Sequence, residues 1–270
     1  MVRSIYNKFN SLQYTAGIGR YSALLKRNAT LKDSAAHVKR AFILATGPSI
    51  QEQDLSVLKG EYCISVSNFF VHALFNEIKP AFHIFAGSHA PITPEQMGAW
   101  WQDTSKHLGD NRETKMLIHA RDKVIQEKYN VFGGQEVFYY VDGGHFPVDF
   151  TRQIPEMQTI VHVAMYLGLY LGIQEIYLLG CDHSWLLHYG KSMHFYKETQ
   201  HSLARDNYSE WQEVKDIGNE FETHANLWKI YRSIRKELRN KTIIYNATPG
   251  SLLDIFPRVD LEQALNKGNK

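Results

Sequence analysis

Short runs rich in apolar and β-branched residues recur along the chain at 41–45, 62–66, 82–86, 116–119, 136–141, 175–179 and 242–245. Stretches of helical composition separate most of them, and this alternation predicts an α/β, Rossmann-like fold: a largely parallel sheet of about seven strands flanked by helices. The most apolar run, 160–171, reads as a buried helix, and at about 12 residues it is short of the roughly 20 needed to cross a bilayer. Residues 207–240 predict another helix, with Phe221, His224, Leu227, Trp228, Tyr231, Ile234 and Leu238 at three- and four-residue spacings. Most of that stripe is expected in the core.

The residues just after the predicted strands are polar or small: Thr46-Gly47, Ser67-Asn68, Gly87-Ser88, Asp142-Gly143, Cys181-Asp182 and Asn246-Ala247-Thr248. In an open parallel sheet the carboxyl ends of the strands share one edge, where ligands bind, so Asp182 and His183 sit where chemistry is expected. The first unit runs from the strand into Thr46, Gly47, Pro48 and Ser49 and then into 50–55. It predicts a glycine turn opening a helix, with Ser49 and Glu52 in an S-x-x-E capping box and free N–H groups offered to a phosphate. A purely structural Gly-Pro-Ser turn fits the same pattern equally well.

Composition narrows the classes. A chain of 270 residues that is 44% hydrophobic can bury a large core, and 30 basic against 28 acidic residues, a formal charge of +2, argue against a duplex nucleic-acid binder. Cys63 and Cys181 both lie in apolar runs, so a reduced cytosolic chain is expected, and no secretory signal opens it. Residues 1–40 interleave Arg3, Lys8, Arg20, Lys26, Arg27, Lys32, Lys39 and Arg40 with Tyr6, Phe9, Tyr14, Tyr21, Leu24 and Leu25. This reads as a basic helical extension, packed on the domain or resting on an anionic membrane surface. Residues 41–258 form the expected Rossmann-like domain and 259–270 a tail.

The segment from Gly180 to Tyr196 holds Asp182, His183, His188 and His194. The spacings 183, 188 and 194 fit no common zinc frame, and Trp185, Leu186 and Leu187 interrupt the polar residues. Four readings stay open. A histidine there could act in general acid/base chemistry. Asp182 could tie down backbone N–H groups at its strand end. Tyr189, Lys191, Phe195, Tyr196 and Lys197 would suit a mobile cover over an anionic substrate, or the loop could simply be solvated.

Three segments, 42–50, 168–182 and 246–253, resemble the bacterial sialyltransferases that use CMP-sialic acid. They are at least as similar to the wider MptE-like (DUF115-type) proteins, which include flagellin-modifying motility accessory factors and surface-polysaccharide enzymes. The resemblance runs in order from about 41 to 256 and implies a variant of the GT-A fold. It implies that Thr46, Gly47, Pro48 and Asn68 hold the CMP moiety, and that Pro249, Gly250 and Ser251 contact the donor. The family's other donor positions fall on Gly87-Ser88-His89 and on Met157-Gln158-Thr159-Ile160, and its tyrosines on Ser184 and Tyr189. Its catalytic histidine aligns with Asn219, which leaves His224, on a helix whose start lies at the same sheet edge as Asp182, or His194 as the base.

The expected function is a glycosyltransferase of surface-polysaccharide or glycoprotein assembly with a CMP-linked donor carrying a sialic-acid-like or other ulosonic acid. Its site residues are His224, His194 and Asp182 for catalysis, and Thr46, Gly47, Pro48, Ser49, Asn68, Gly87, Ser88, Thr159, Asp182, His183, Pro249, Gly250 and Ser251 for the donor. No metal or cofactor is expected, because a monophosphate leaving group needs less help than a diphosphate and no D-x-D pair is evident. Expected partners are the nucleotide-sugar donor, a glycan or lipid-linked glycan acceptor, the inner membrane surface and a second copy of the chain. The rivals are a magnesium-dependent diphosphokinase, with Asp182, Asp142 and Asp54 as ligands, and a non-catalytic nucleotide-binding accessory protein.

Overall fold

The computed structural model describes residues 19–89, 92–188, 194–196, 216–238 and 242–266. All seven expected strands form: β1 (Arg40–Leu44), β2 (Tyr62–Val66), β3 (Phe82–Ile84), β4 (Lys115–His119), β5 (Val137–Tyr140), β6 (Glu175–Leu179) and β7 (Ile243–Asn246). They make one sheet in the order β5-β4-β3-β2-β1-β6-β7, with every neighbouring pair parallel. The fold is α/β and Rossmann-like. From β1 the chain steps outward through β5, then crosses back to lay β6 on the other side of β1. The connections therefore diverge between β1 and β6, and the crevice opens there.

The strands read as continuous apolar runs because both sheet faces are covered. In β1, Ala41 and Ile43 enter one buried cluster while Phe42 and Leu44 enter the other. The helices are α1 (Ser22–Lys26), α2 (Phe75–Ile78), α3 (Pro94–Leu108), α4 (Lys123–Lys128), α5 (Ile160–Tyr170), α6 (Ile217–Glu237) and α7 (Leu261–Asn266). Helix α5 is apolar almost all round and buried, as such a sequence requires. Its His162 is fully buried and accepts the Gln158 N–H at Nδ1 (3.2 Å), satisfying a backbone donor ahead of the first turn.

Helix α6 starts at Ile217 with Asp216 as its N-cap, the carboxylate accepting from Asn219 N (2.8 Å). Leu227, Ile230, Tyr231 and Ile234 are buried, but Phe221 is 57% exposed because the first turns of the helix extend past the core. The part of the predicted helix before Asp216 lies outside the described residues.

Of the N-terminal extension, residues 19–31 form short helical turns seated on the domain. Leu25 and Leu31 are buried, and Arg27 pairs with Glu136 at 2.8 Å. The Asn28 amide donates to the Tyr139 carbonyl of β5 (2.6 Å) and to that of Phe150 (2.7 Å). At the other end of the chain, α7 buries Ala264, and Arg40 donates to the carbonyls of Ala264 (3.2 Å) and Leu265 (2.6 Å).

Candidate functional site

A cavity of about 410 Å³ lies at the carboxyl edge of the sheet, where β1 and β6 diverge. Its size is within the range usual for small-molecule sites. Thr46 and Gly47 after β1, Ser67 after β2 and Cys181, Asp182 and His183 after β6 line it from the strand ends. Gln158, Thr159, Ile160 and Val161 enter from the start of α5, Thr223, His224 and Leu227 from α6, and Trp185 and His194 from the 180–196 segment.

Asp182 and the glycine turn form a clamp. Asp182 accepts from Ser49 N at Oδ1 (3.1 Å) and from Ser49 Oγ at Oδ2 (2.8 Å), while Gly47 N donates to the Gly180 carbonyl (2.9 Å). Burial raises the Asp182 carboxyl above the ordinary carboxylate range, against the lowering effect of the Ser49 bonds. This is the tying-down role open to a strand-end aspartate, directed at the neighbouring turn. It also corrects the phosphate-turn expectation. Residues 48–52 form one 3-10 turn, Ser49 lies inside it, no side chain caps it, and the Ser49 N–H points at Asp182.

The helix start that does face the cavity is that of the 11-residue α5. Thr159 is its N-cap, accepting from Val161 N at 3.5 Å. The free N–H groups and positive dipole end of such a helix favour an anion by about 0.3–1 kcal/mol.

Two histidines that line the cavity are held differently. His224 bonds through Nδ1 to the Glu220 carbonyl (2.8 Å) and stands edge-on to Trp185, with ring centres 5.7 Å apart. A carbonyl only accepts, so Nδ1 carries a proton, and in the neutral ring Nε2 holds the lone pair. His183 sits in the left-handed region at φ 51°, and its Nε2 lies 2.7 Å from the Tyr231 hydroxyl. Burial, with a smaller contribution from His224, pushes the His183 pKa down to about 4, so the ring is neutral near pH 7. His194 also lines the cavity, stacked on Tyr196 with centres 4.8 Å apart. Among the described residues, no group of three His, Cys, Asp or Glu side chains is placed to hold a metal ion.

The structure thus brings Thr46, Gly47, Thr159, Asp182, His183, His194 and His224 together. Other expected site residues are occupied elsewhere. The Asn68 amide donates to Tyr196 Oη (2.8 Å) and accepts from Trp100 Nε1 (2.6 Å), so the polar group meant for the donor is consumed inside the core. Ser88 bonds Asp122 through its N–H (2.8 Å) and hydroxyl, and Gly87 packs against His119 and Arg121. Ser251 is buried; it donates to the Cys181 carbonyl (2.6 Å) and accepts from Asn246 Nδ2 (3.0 Å), fastening the ends of β6 and β7. Pro48, Pro249 and Gly250 do not line the cavity. The kinase ligands are likewise apart: Asp54 accepts from Ser56 N (2.9 Å) and Asp142 faces His119 (3.2 Å). The side chain of His188, and Tyr189, lie outside the described residues.

Trp185 and Thr223 line the cavity and Tyr231 partners His183, and nothing in the sequence marks them for these places. Ser67 was flagged only alongside Asn68; its φ of 53° turns the chain so that Ser67, not Asn68, faces the cavity. Tyr231 carries no signal in the sequence beyond an apolar stripe.

No protein-family model and no curated protein matches the chain. Among solved structures it is similar to the sialyltransferase CstII from Campylobacter jejuni in complex with the substrate analogue CMP-3FNeuAc, at 18% identity and a TM-score of 0.43, over 82% of this chain and 85% of that one. It is also similar to the sialyltransferase CST-II in complex with a trisaccharide acceptor and CMP, at 18% identity and a TM-score of 0.45, over 82% and 86%.

Proposed function

We propose that the chain is a glycosyltransferase that moves a sugar from a nucleotide donor, CMP-linked and carrying a sialic-acid-like or other ulosonic acid, to a hydroxyl of a glycan or lipid-linked glycan acceptor. The observation that carries this reading is a cavity at the strand-order switch point with a helix start on one side and a histidine with an open Nε2 lone pair on another. The first suits a departing phosphate and the second a proton taken from an alcohol. In the reaction, the acceptor hydroxyl oxygen bonds to the anomeric carbon and its proton passes to His224 Nε2. The bond from that carbon to the phosphate oxygen breaks, and its electron pair leaves with CMP. The start of α5 stabilises the charge that develops there, and Asp182 keeps the glycine turn clear of it. Among the described residues the single carboxylate lining the cavity, Asp182, is bonded by Ser49, which disfavours a magnesium-dependent diphosphokinase at this site. Residues 1–18 are assigned to contact with an anionic membrane that carries the acceptor.

The test is thermal stabilisation by CMP, CDP, UDP, GDP, ATP and S-adenosylmethionine, each with magnesium or with EDTA. CMP should raise Tm in EDTA. His224→Ala should then lower turnover by about 10²–10⁴ while the CMP shift is retained. His194→Ala should leave most of the turnover. Strong stabilisation by ATP with magnesium, and none by CMP, would replace this reading with the kinase one.

A further inference from the structure

The hydrogen bonding around Tyr231 determines which nitrogen of His183 carries the proton. Tyr231 is fully buried, edge-on to His162, Trp228 and Phe256, and its hydroxyl lies 2.7 Å from His183 Nε2. His162, whose ring centre is 4.3 Å from that of Tyr231, accepts the Gln158 N–H at Nδ1. In its neutral form its other nitrogen is therefore an N–H, which offers the Tyr231 hydroxyl no acceptor. Burial pushes the His162 pKa down to about 3, with a smaller push from His183, so the neutral form is the one present. If His183 donated from Nε2 to the tyrosine oxygen, the Tyr231 O–H would be a buried donor without a partner, a state that costs about 1–3 kcal/mol. With Tyr231 donating, its O–H and His183 Nε2 satisfy each other, and the proton of His183 is on Nδ1, the nitrogen that no described residue engages.

We propose that Tyr231 is a positioning residue that holds His183 in the Nδ1–H form, so that one cavity offers both a neutral N–H donor from His183 and the lone pair of His224. Building on the transferase reading, the His183 N–H serves the phosphate oxygen from which the sugar departs, and His224 serves the acceptor hydroxyl. The two histidines are thus not interchangeable bases. His183 transfers no proton; it donates a hydrogen bond that strengthens as the oxygen gains charge. The left-handed backbone at His183, costly for a residue with a side chain, turns this ring into place.

The decisive measurement is the pattern of ring-nitrogen couplings in the full-length protein labelled with nitrogen-15 at histidine, with the His183 signal identified by its loss in His183→Gln. His183 should show a protonated Nδ1 and an unprotonated Nε2. In Tyr231→Phe, which lacks only the hydroxyl, it should convert to Nε2–H or to an exchanging mixture. An Nε2–H form in the native protein, or a His183 signal unchanged by Tyr231→Phe, overturns the proposal whether or not CMP binds. Side-chain exchange tests the donor role separately, because the asparagine amide falls near Nδ1 and the glutamine amide near Nε2. His183→Asn, which also tolerates the left-handed backbone, should keep CMP affinity within about threefold, while His183→Gln should lose about tenfold or more. Equal losses in the two variants overturn the donor role. Absence of CMP binding by the unmodified protein refutes the transferase reading and leaves the nitrogen pattern to decide the positioning claim.

Discussion

Lowering the pH from 7 to about 4.5 is expected to unfold the protein, and three histidines that the folded chain keeps neutral are the cause. His83 and His162 are fully buried with pKa values pushed down to about 3, and His183 to about 4, burial being the main cause in each. His83 is walled by Phe70, Phe75 and Phe85, with Ser65 Oγ 2.7 Å from its Nδ1. In the unfolded chain each titrates near 6.5. Above that value neither state binds a proton, and stability is complete. As the pH falls towards 4, the unfolded chain takes up protons that the folded protein refuses. Each histidine then costs about 1.4 kcal/mol of stability per pH unit. Over two pH units, three of them remove roughly 8 kcal/mol, comparable to the whole stability of an ordinary domain. Asp142, whose pKa is lowered, adds its loss only below the ordinary carboxylate range, so it does not mimic this effect near pH 5. Urea midpoints from pH 7 to 5 should show uptake approaching three protons on unfolding. His162→Asn, which keeps an acceptor for the Gln158 N–H, should remove about one of them. A midpoint that does not change between pH 7 and 5 would contradict the burial of these rings.

Replacing Gly47 is expected to be the most damaging single change at the site. A Cβ on Gly47 would lie 1.8 Å from Asp182 Oδ2 and 2.5 Å from the Gly180 carbonyl oxygen. The carboxylate could swing aside, but the carbonyl belongs to the end of β6 and is held by the sheet. Gly47→Ala therefore has to separate the β1 and β6 ends and release Ser49 from Asp182. Overpacking of this kind costs about 1–3 kcal/mol or more, and the upper part of that range lowers Tm by roughly 6–12 °C in a chain of this size. Gly47→Val should be worse. Asp182→Asn should stay within a few degrees, since its oxygen still accepts the Ser49 N–H and the Ser49 hydroxyl can turn to accept from the new amide. Calorimetry on the three variants without ligand decides this; equal Tm values for Gly47→Ala and the native chain would show that the turn opens freely.

The strands were legible because both sheet faces are buried, which makes each an unbroken apolar run, and the edge was legible because polar residues follow those runs at once. The order of the strands, and hence the crevice between β1 and β6, is a property of the crossovers and leaves no local trace. At the site, Gly47, Asp182, His183 and Thr159 could be read from their places at strand and helix ends. Asn68, Ser88 and Ser251 could not be separated from them, because polar residues gathered at one edge also bond to each other. Asp122 holds Ser88 as Asp182 holds Ser49, through N–H and hydroxyl together, yet Asp182 lines the cavity and Asp122 does not.

The seat of residues 19–31 on β5 bears on how a chain like this avoids joining its neighbours. β5 is the last strand on its side, and its Val-Phe-Tyr-Tyr sequence is strongly strand-forming. Asn28, by occupying the Tyr139 carbonyl, closes a backbone acceptor that a second chain would otherwise use to extend the sheet. A truncation starting at Val38, the obvious form in which to test membrane contact by sedimentation with liposomes, would strip that edge bare. It should form large assemblies by light scattering in the absence of lipid and pellet for that reason. A truncation starting at Gly19 should remain dispersed, and its loss of liposome binding would then report on the basic and aromatic residues before it.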